Sequence, residues 1–141
     1  MKIIFDFLKY FYLTVDTSIL LKYKDLSKID TVKGKVSFFG LLFFFLMQRK
    51  LGFFITSYYR TVSYNKKIGG KSNSKHLKGL AIDIPLTFNK LKGIKEFADK
   101  YNVKISIVRE INHYHIEIED FIPMLYPFYY FIIGVLLLFF F

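Results

Sequence analysis

Cysteine is absent from the 141 residues, and so is tryptophan. Without thiols the chain can form neither a disulfide nor a thiolate metal site, so any metal must be held by imidazole and carboxylate. Acidic side chains are scarce, 11 against 21 basic ones, which leaves a formal net charge of +10. Charge of either sign is missing from two stretches, residues 36–47 and 121–141. What abounds is apolar surface: hydrophobic residues make up 53% of the chain and aromatics 21%. That content excludes an intrinsically disordered protein, which would lack the side chains to build a core. The length suits one domain of ordinary size rather than two. The charge pattern divides the chain into an N-terminal extension with short helices (1–35), a domain (36–120) and a hydrophobic C-terminal segment (121–141).

Asp6 and Lys9 interrupt the apolar opening Met1–Tyr12, and no small-residue cleavage site follows. It therefore does not read as a secretory signal. Residues 13–35 alternate short apolar runs with Lys and Asp, a pattern of turns and short helices. Val36–Met47 is uncharged and closes on Gln48-Arg49-Lys50. As a helix it reaches only about 18 Å, short of a bilayer core of roughly 30 Å. A buried helix whose basic last turn complements its dipole is expected there. Phe53–Ser57 is aromatic and β-branched and predicts a strand. Tyr58–Lys78, rich in Asn, Ser, Gly and Lys, predicts a loop too long to be idle.

Gly79–Ile84 alternates and predicts a strand closed by Pro85. The stripe Leu91, Ile94, Phe97/Ala98, Tyr101 predicts a helix, and Val103, Ile105 and Ile107 a strand after it. Ile111–Glu119 is the clearest strand: Tyr114, Ile116 and Ile118 share one face, His113, His115 and Glu117 the other. The last 21 residues predict a borderline spanning helix, which would be about 22 Å long from Pro127 and about 28 Å from Pro123. Tyrosines at its start suit a membrane interface. Membrane association through this segment, at the cell envelope, is the expectation; a hydrophobic helix packed on the domain is the alternative.

The chain has three histidines, at 76, 113 and 115. His76 precedes Asp83 by seven residues, with Gly79 between them to turn the chain. If the two strands lie side by side, two imidazoles and one carboxylate can converge. Two histidines, a carboxylate and an open fourth position are the pattern of catalytic zinc. An H-x-H on a strand is also compatible with a plain polar face, so spacing alone leaves both readings open.

The order Ser57-Tyr58-Tyr59-Arg60, Tyr64-Asn65, Gly69-Gly70, then Ser74-Lys75-His76-Leu77-Lys78-Gly79-Leu80-Ala81-Ile82-Asp83, resembles the zinc D-alanyl-D-alanine carboxypeptidase family. That family includes dipeptidases and phage endolysins acting on peptidoglycan. Its S-x-H-x-x-G-x-A-x-D motif matches at every fixed position, and His113-Tyr114-His115-Ile116 looks like its second element. The resemblance is good over residues 52–119. It implies a zinc ion (Zn2+) held by His76, Asp83 and His115. It further implies Arg60 on a substrate carboxylate or on the anionic intermediate, and His113 or Glu110 as the group that moves a proton.

Three positions depart from the family pattern. Asn112 stands where other members place a carboxylate, and it cannot accept a proton. Glu110 and His113 make an E-x-x-H that would shift the ligand to His113; His115-Ile116-Glu117-Ile118 fits the family strand better. Tyr58 stands for a usual glycine, and Tyr114 for a tryptophan. Ser74 is expected to orient the His76 loop rather than attack substrate, because metal-activated water makes a serine nucleophile unnecessary. Lys66, Lys67, Lys71, Lys75 and Lys78 would rim the site, either steering an anionic wall polymer or merely solvated.

The expected fold is α+β: a small antiparallel sheet flanked by helices with a zinc cleft, plus a hydrophobic C-terminal helix. The middle segment, 36–120, would be the zinc peptidase-like domain. The resemblance implies a zinc metallopeptidase cutting peptidoglycan stem peptides, as a D-Ala-D-Ala carboxypeptidase or an endolysin-type endopeptidase. A lysis protein of a phage, acting in a bacterial host, is the expected setting. The rivals are an inactive zinc-binding module that grips wall peptides or another protein, and a holin-like membrane protein. Nucleic acid is not an expected partner, because the aromatics sit in apolar runs rather than among the basic residues.

Overall fold

The computed structural model describes residues 11–29 and 31–121. β1 (Tyr12–Asp16) pairs antiparallel with β2 (Lys33–Ser37), in register from Tyr12 opposite Ser37 to Asp16 opposite Lys33. Two 3-10 turns lie between them, each opened by an aspartate that accepts from the second following amide: Asp16 from Ser18 N–H and Asp25 from Ser27 N–H. The turns match the expectation for residues 13–35. The hairpin was not foreseen, and β2 runs across the 35/36 position where the charge pattern changes.

Ser37 then caps α1 (Phe38–Leu51), its hydroxyl accepting from Gly40 N–H at 3.2 Å. The helix stops at Gly52, whose φ of +76° suits the left-handed residue of a helix end. Arg49 and Lys50 occupy the last turn, where cations oppose the dipole. The helix is apolar on nearly every side and is accordingly buried, with Phe39, Leu41, Phe43, Phe44 and Met47 in the core. Its one buried amide, Gln48, donates to the carbonyls of Lys22 and Phe53 and accepts from Lys22 N–H.

The apolar run 36–47 thus belongs to the core, as its length implies. Among the described residues no helix is long and apolar enough to cross a membrane. This overturns the membrane-associated location expected above. The C-terminal helix of that expectation falls on residues 122–141, and the opening Met1–Tyr12 largely on residues 1–10; both lie outside the described residues.

The second sheet carries three antiparallel strands in the order β3-β5-β4: β3 (Ala81–Pro85), β4 (Val103–Arg109) and β5 (His113–Phe121). The expected single sheet is therefore two. Ile82 and Ile84 of β3 and Ile116 and Ile118 of β5 are buried with α1 in one hydrophobic cluster. α2 (Leu-free, Val62–Lys67) breaks the expected loop 58–78, with Thr61 as its N-cap. α3 (Leu91–Lys100) follows β3 and sinks Ile94, Phe97 and Ala98 into the core, the stripe read from its sequence. Phe97 meets Phe43 of α1 with ring centroids 5.5 Å apart.

Phe53–Ser57 is extended but forms no strand of a ladder. Its amides serve two neighbours in turn: Ile55 bonds to Lys22 and Lys24, while Thr56 and Ser57 bond to Asp83. Neither pairing propagates beyond one bridge. Ser57 is nevertheless placed beside Asp83, and that matters for the site.

Candidate metal centre

His76 lies in a 3-10 turn, Lys75–Lys78, opened by Ser74, whose hydroxyl accepts from His76 N–H at 3.3 Å. Gly79 ends the turn at φ +68°, and a Cβ there would stand 2.7 Å from Val36 Cβ and 2.8 Å from the Tyr58 hydroxyl oxygen. Only glycine meets both conditions, the left-handed backbone and the close approach. The turn is thereby lodged against β2 and Tyr58, and the His76 ring is 1% exposed. Its Nδ1–H donates to the Tyr58 carbonyl at 2.6 Å. A carbonyl can only accept, so the proton sits on Nδ1 and Nε2 keeps its lone pair.

β3 and β5 supply the other two donors. Their register sets Asp83 directly opposite His115. A slip of one residue in either strand would turn its donor away from the other. Asp83 Oδ1 lies 3.2 Å from His76 Nε2 and 2.9 Å from His115 Nδ1, and the two nitrogens are 3.3 Å apart. His115 donates from Nε2–H to Glu117 Oε2 at 3.0 Å, which leaves Nδ1 for the centre. Asp83 Oδ2, the oxygen facing away, accepts from Arg60 Nη2 at 2.7 Å.

Three electron-pair donors therefore face one point, an arrangement that draws a cation. A proton on one of the imidazole nitrogens answers the same attraction. Burial pushes the Asp83 carboxyl up, but hydrogen bonds from His115 and His76 and the charge of the imidazoles outweigh it, holding it well below the usual carboxylate range. The hydrogen bond to Asp83 raises His115; burial opposes this and Glu117 adds to it. His76, Asp83 and His115 form a group that could hold a metal ion, their ligand atoms all within 4.8 Å of one another.

The centre sits in a cleft of about 720 Å³ that holds every candidate residue. His113 Nε2 reaches 3.4 Å from Asp83 Oδ1, and its Nδ1–H donates to Asn112 Oδ1 at 2.6 Å. It stands beside the three-donor group rather than replacing His115 in it. Arg60 is only 14% exposed, its Nε bonded to Ser57 Oγ at 3.1 Å as well as its Nη2 to Asp83. Glu110 is exposed on the cleft rim, tied to His113 through its backbone amide. Of the five loop lysines, Lys71 and Lys75 line the cleft; Lys66, Lys67 and Lys78 are exposed outside its lining.

A model of the family described as peptidase M15 matches residues 46–117. The chain belongs to that family. The match bears out the resemblance carried by the S-x-H-x-x-G-x-A-x-D motif, and its span runs from the last turns of α1 through the His115-Ile116-Glu117 strand. No curated protein matches the chain, and no solved structure does. Beyond the motif, this M15 chain uses residues that sequence reasoning did not single out. Glu117 had a legible signal, its place two residues after His115 on one strand face. Ser57 heads the Ser57-Tyr58-Tyr59-Arg60 element, with its hydroxyl on Arg60 as its role; the Tyr58 carbonyl had no signal, since a backbone oxygen carries no side-chain identity.

Proposed function

We propose that this M15 protein is a zinc-dependent peptidase that hydrolyses peptide bonds of peptidoglycan stem peptides, by carboxypeptidase or endolysin-type endopeptidase action. The observation that carries the reading is the convergence of His76 Nε2, Asp83 Oδ1 and His115 Nδ1. Donors about 2.0–2.1 Å from a tetrahedral zinc stand about 3.3 Å apart; the three separations here are 3.2, 3.3 and 2.9 Å. Two imidazoles and a carboxylate are also a donor set that zinc accepts with a position left open. When bound, zinc acidifies water and polarises a carbonyl.

The remaining roles belong to the chain. His113, held by Asn112 and next to Asp83 in the cleft, is the group placed to take a proton from attacking water and pass it to the departing amine. Glu110, exposed on the rim, is the lesser candidate. Arg60 keeps a positive charge beside the centre, where negative charge develops on the carbonyl oxygen. Lys71 and Lys75 add cationic character to the wall that a peptide with free carboxylates would meet.

The test is to incubate purified peptidoglycan with the full-length protein, with and without a zinc chelator, and read the fragments by mass spectrometry. New peptide fragments that vanish with chelator are expected, and their masses name the bond cut. Asn112, in place of the family's carboxylate, favours a second reading: a zinc-binding module that grips wall peptides without cutting them. A folded, zinc-loaded protein that releases no fragment would decide for that module.

A further inference from the structure

Each of the three donors is held from behind, and the three anchors differ in kind. His76 is held by a main-chain carbonyl and Asp83 by the Arg60 guanidinium. His115 is held by a carboxylate on its own strand, Glu117, at 3.0 Å. Because side chains on a strand repeat every second residue, Glu117 emerges on the same face as His115. Its Oε2 meets the ring at Nε2, the nitrogen turned away from Asp83.

We infer that Glu117 is a positioning residue that fixes the His115 tautomer, committing Nδ1 rather than Nε2 to the metal centre. The inference rests on the zinc reading above. An ionised carboxylate can only accept, so the nitrogen it meets must carry the proton. A neutral imidazole has one remaining lone pair; with a cation among the three donors it lies on Nδ1, the nitrogen 2.9 Å from Asp83 Oδ1 and 3.3 Å from His76 Nε2. The two ligand histidines thus present opposite nitrogens, His76 through Nε2 and His115 through Nδ1. His115 is 20% exposed and Glu117 30%, so the ring is not locked by packing as His76 is. Without an acceptor behind it, His115 could adopt the other tautomer and turn an N–H toward the centre. A carboxylate behind the ring also makes the imidazole a better electron-pair donor.

The test compares Glu117→Gln and Glu117→Leu in the full-length protein, with zinc affinity read by competition against a chromophoric chelator. Loss of such an anchor weakens metal binding about 10–100-fold, and that loss is expected for Glu117→Leu. Glu117→Gln keeps an oxygen that can accept from Nε2–H and should stay within about threefold of the parent. Ring nitrogen NMR shifts should show a proton on His115 Nε2 in the metal-free and the zinc-loaded protein alike, and none on Nδ1 once zinc is bound. Unchanged zinc affinity in Glu117→Leu, a Gln variant as weak as the Leu variant, or an Nε2 without a proton would each overturn the inference. If the Leu variant does not fold, the Gln variant and the parent's NMR shifts still decide. A parent that binds no zinc sinks the zinc reading alone, because the Nε2 proton can still be read in the metal-free protein.

Discussion

β5 offers two surfaces cut from the same nine residues, and they are held in place by different physics. On one face Ile116 and Ile118 are buried against α1 and β3, where contact area and volume decide the energy. On the other face His113, His115 and Glu117 line the cleft, where each imidazole nitrogen has a named partner at 2.6 to 3.4 Å. The apolar face sets the register that brings His115 opposite Asp83. The polar face contributes chemistry and little packing. A change on either face should therefore leave a distinct trace.

The largest effect is expected on the polar face. His115→Ala removes one of three donors, and zinc-dependent turnover should fall below detection while the metal-free protein still melts cooperatively. Ile116→Ala should do the reverse. A buried Ile→Ala change costs roughly 2–5 kcal/mol, yet the molecules that remain folded should bind zinc with parental affinity. Thermal melts and zinc titrations on the two variants check both halves. If Ile116→Ala weakened zinc binding as much as His115→Ala, the two faces would not be separable.

Gly79→Ala should damage both at once. The left-handed backbone costs an L-residue about 1–2 kcal/mol, and the new Cβ would press on Val36 and the Tyr58 hydroxyl. Because the same turn carries His76, the melting temperature and the zinc affinity should drop together. A stable variant with intact zinc binding would mean that the turn can relax elsewhere.

The faces should also part in their response to pH, measured on the metal-free protein. Asp83 has a folded pKa below its ordinary 3.8, so its contribution is present above that value and lost as pH falls through the depressed one. His115 has a folded pKa above its ordinary 6.5; its contribution is present below 6.5 and lost as pH rises through the raised value. The midpoint of unfolding should therefore be highest between about pH 4 and 6.5 and decline on both sides. Replacing His115 with Gln should flatten the alkaline decline. Zinc should reverse that decline, because the metal displaces the proton and binds better as pH rises.

The polar face was the more legible of the two in the sequence. Strict alternation over Ile111–Glu119 assigned His113, His115 and Glu117 to one side, and the ten-residue motif paired His76 with Asp83 across a required glycine. The helix stripe at Leu91–Tyr101 and the burial of Val36–Met47 followed from spacing and length. The β1–β2 hairpin escaped because its strands are five residues each and mostly half-exposed, with little alternation to read. Phe53–Ser57 has strand composition, but which neighbours its amides find is a tertiary fact. The same holds for the pairing of Asp83 with His115, since neither strand encodes its register alone. The resemblance puts Arg60 on a substrate carboxylate or on the anionic intermediate; its bond to Asp83 Oδ2 depends on Ser57 lying beside β3, which no local pattern reveals.

The smallest effect concerns Ser74, and it separates an orienting hydroxyl from a reacting one. Its oxygen accepts from His76 N–H at the start of the turn, an N-cap role. Loss of a capping hydroxyl costs about 1 kcal/mol. Ser74→Ala should lower the melting temperature slightly and weaken zinc binding a few-fold at most, by loosening the turn that carries His76. With zinc saturating, turnover should stay within about tenfold of the parent, because about 1.4 kcal/mol corresponds to a factor of ten. Turnover abolished in a fully zinc-loaded Ser74→Ala protein would make the hydroxyl a participant in the chemistry. The cleft would then draw its reacting groups from the His76 turn as well as from the polar face of β5.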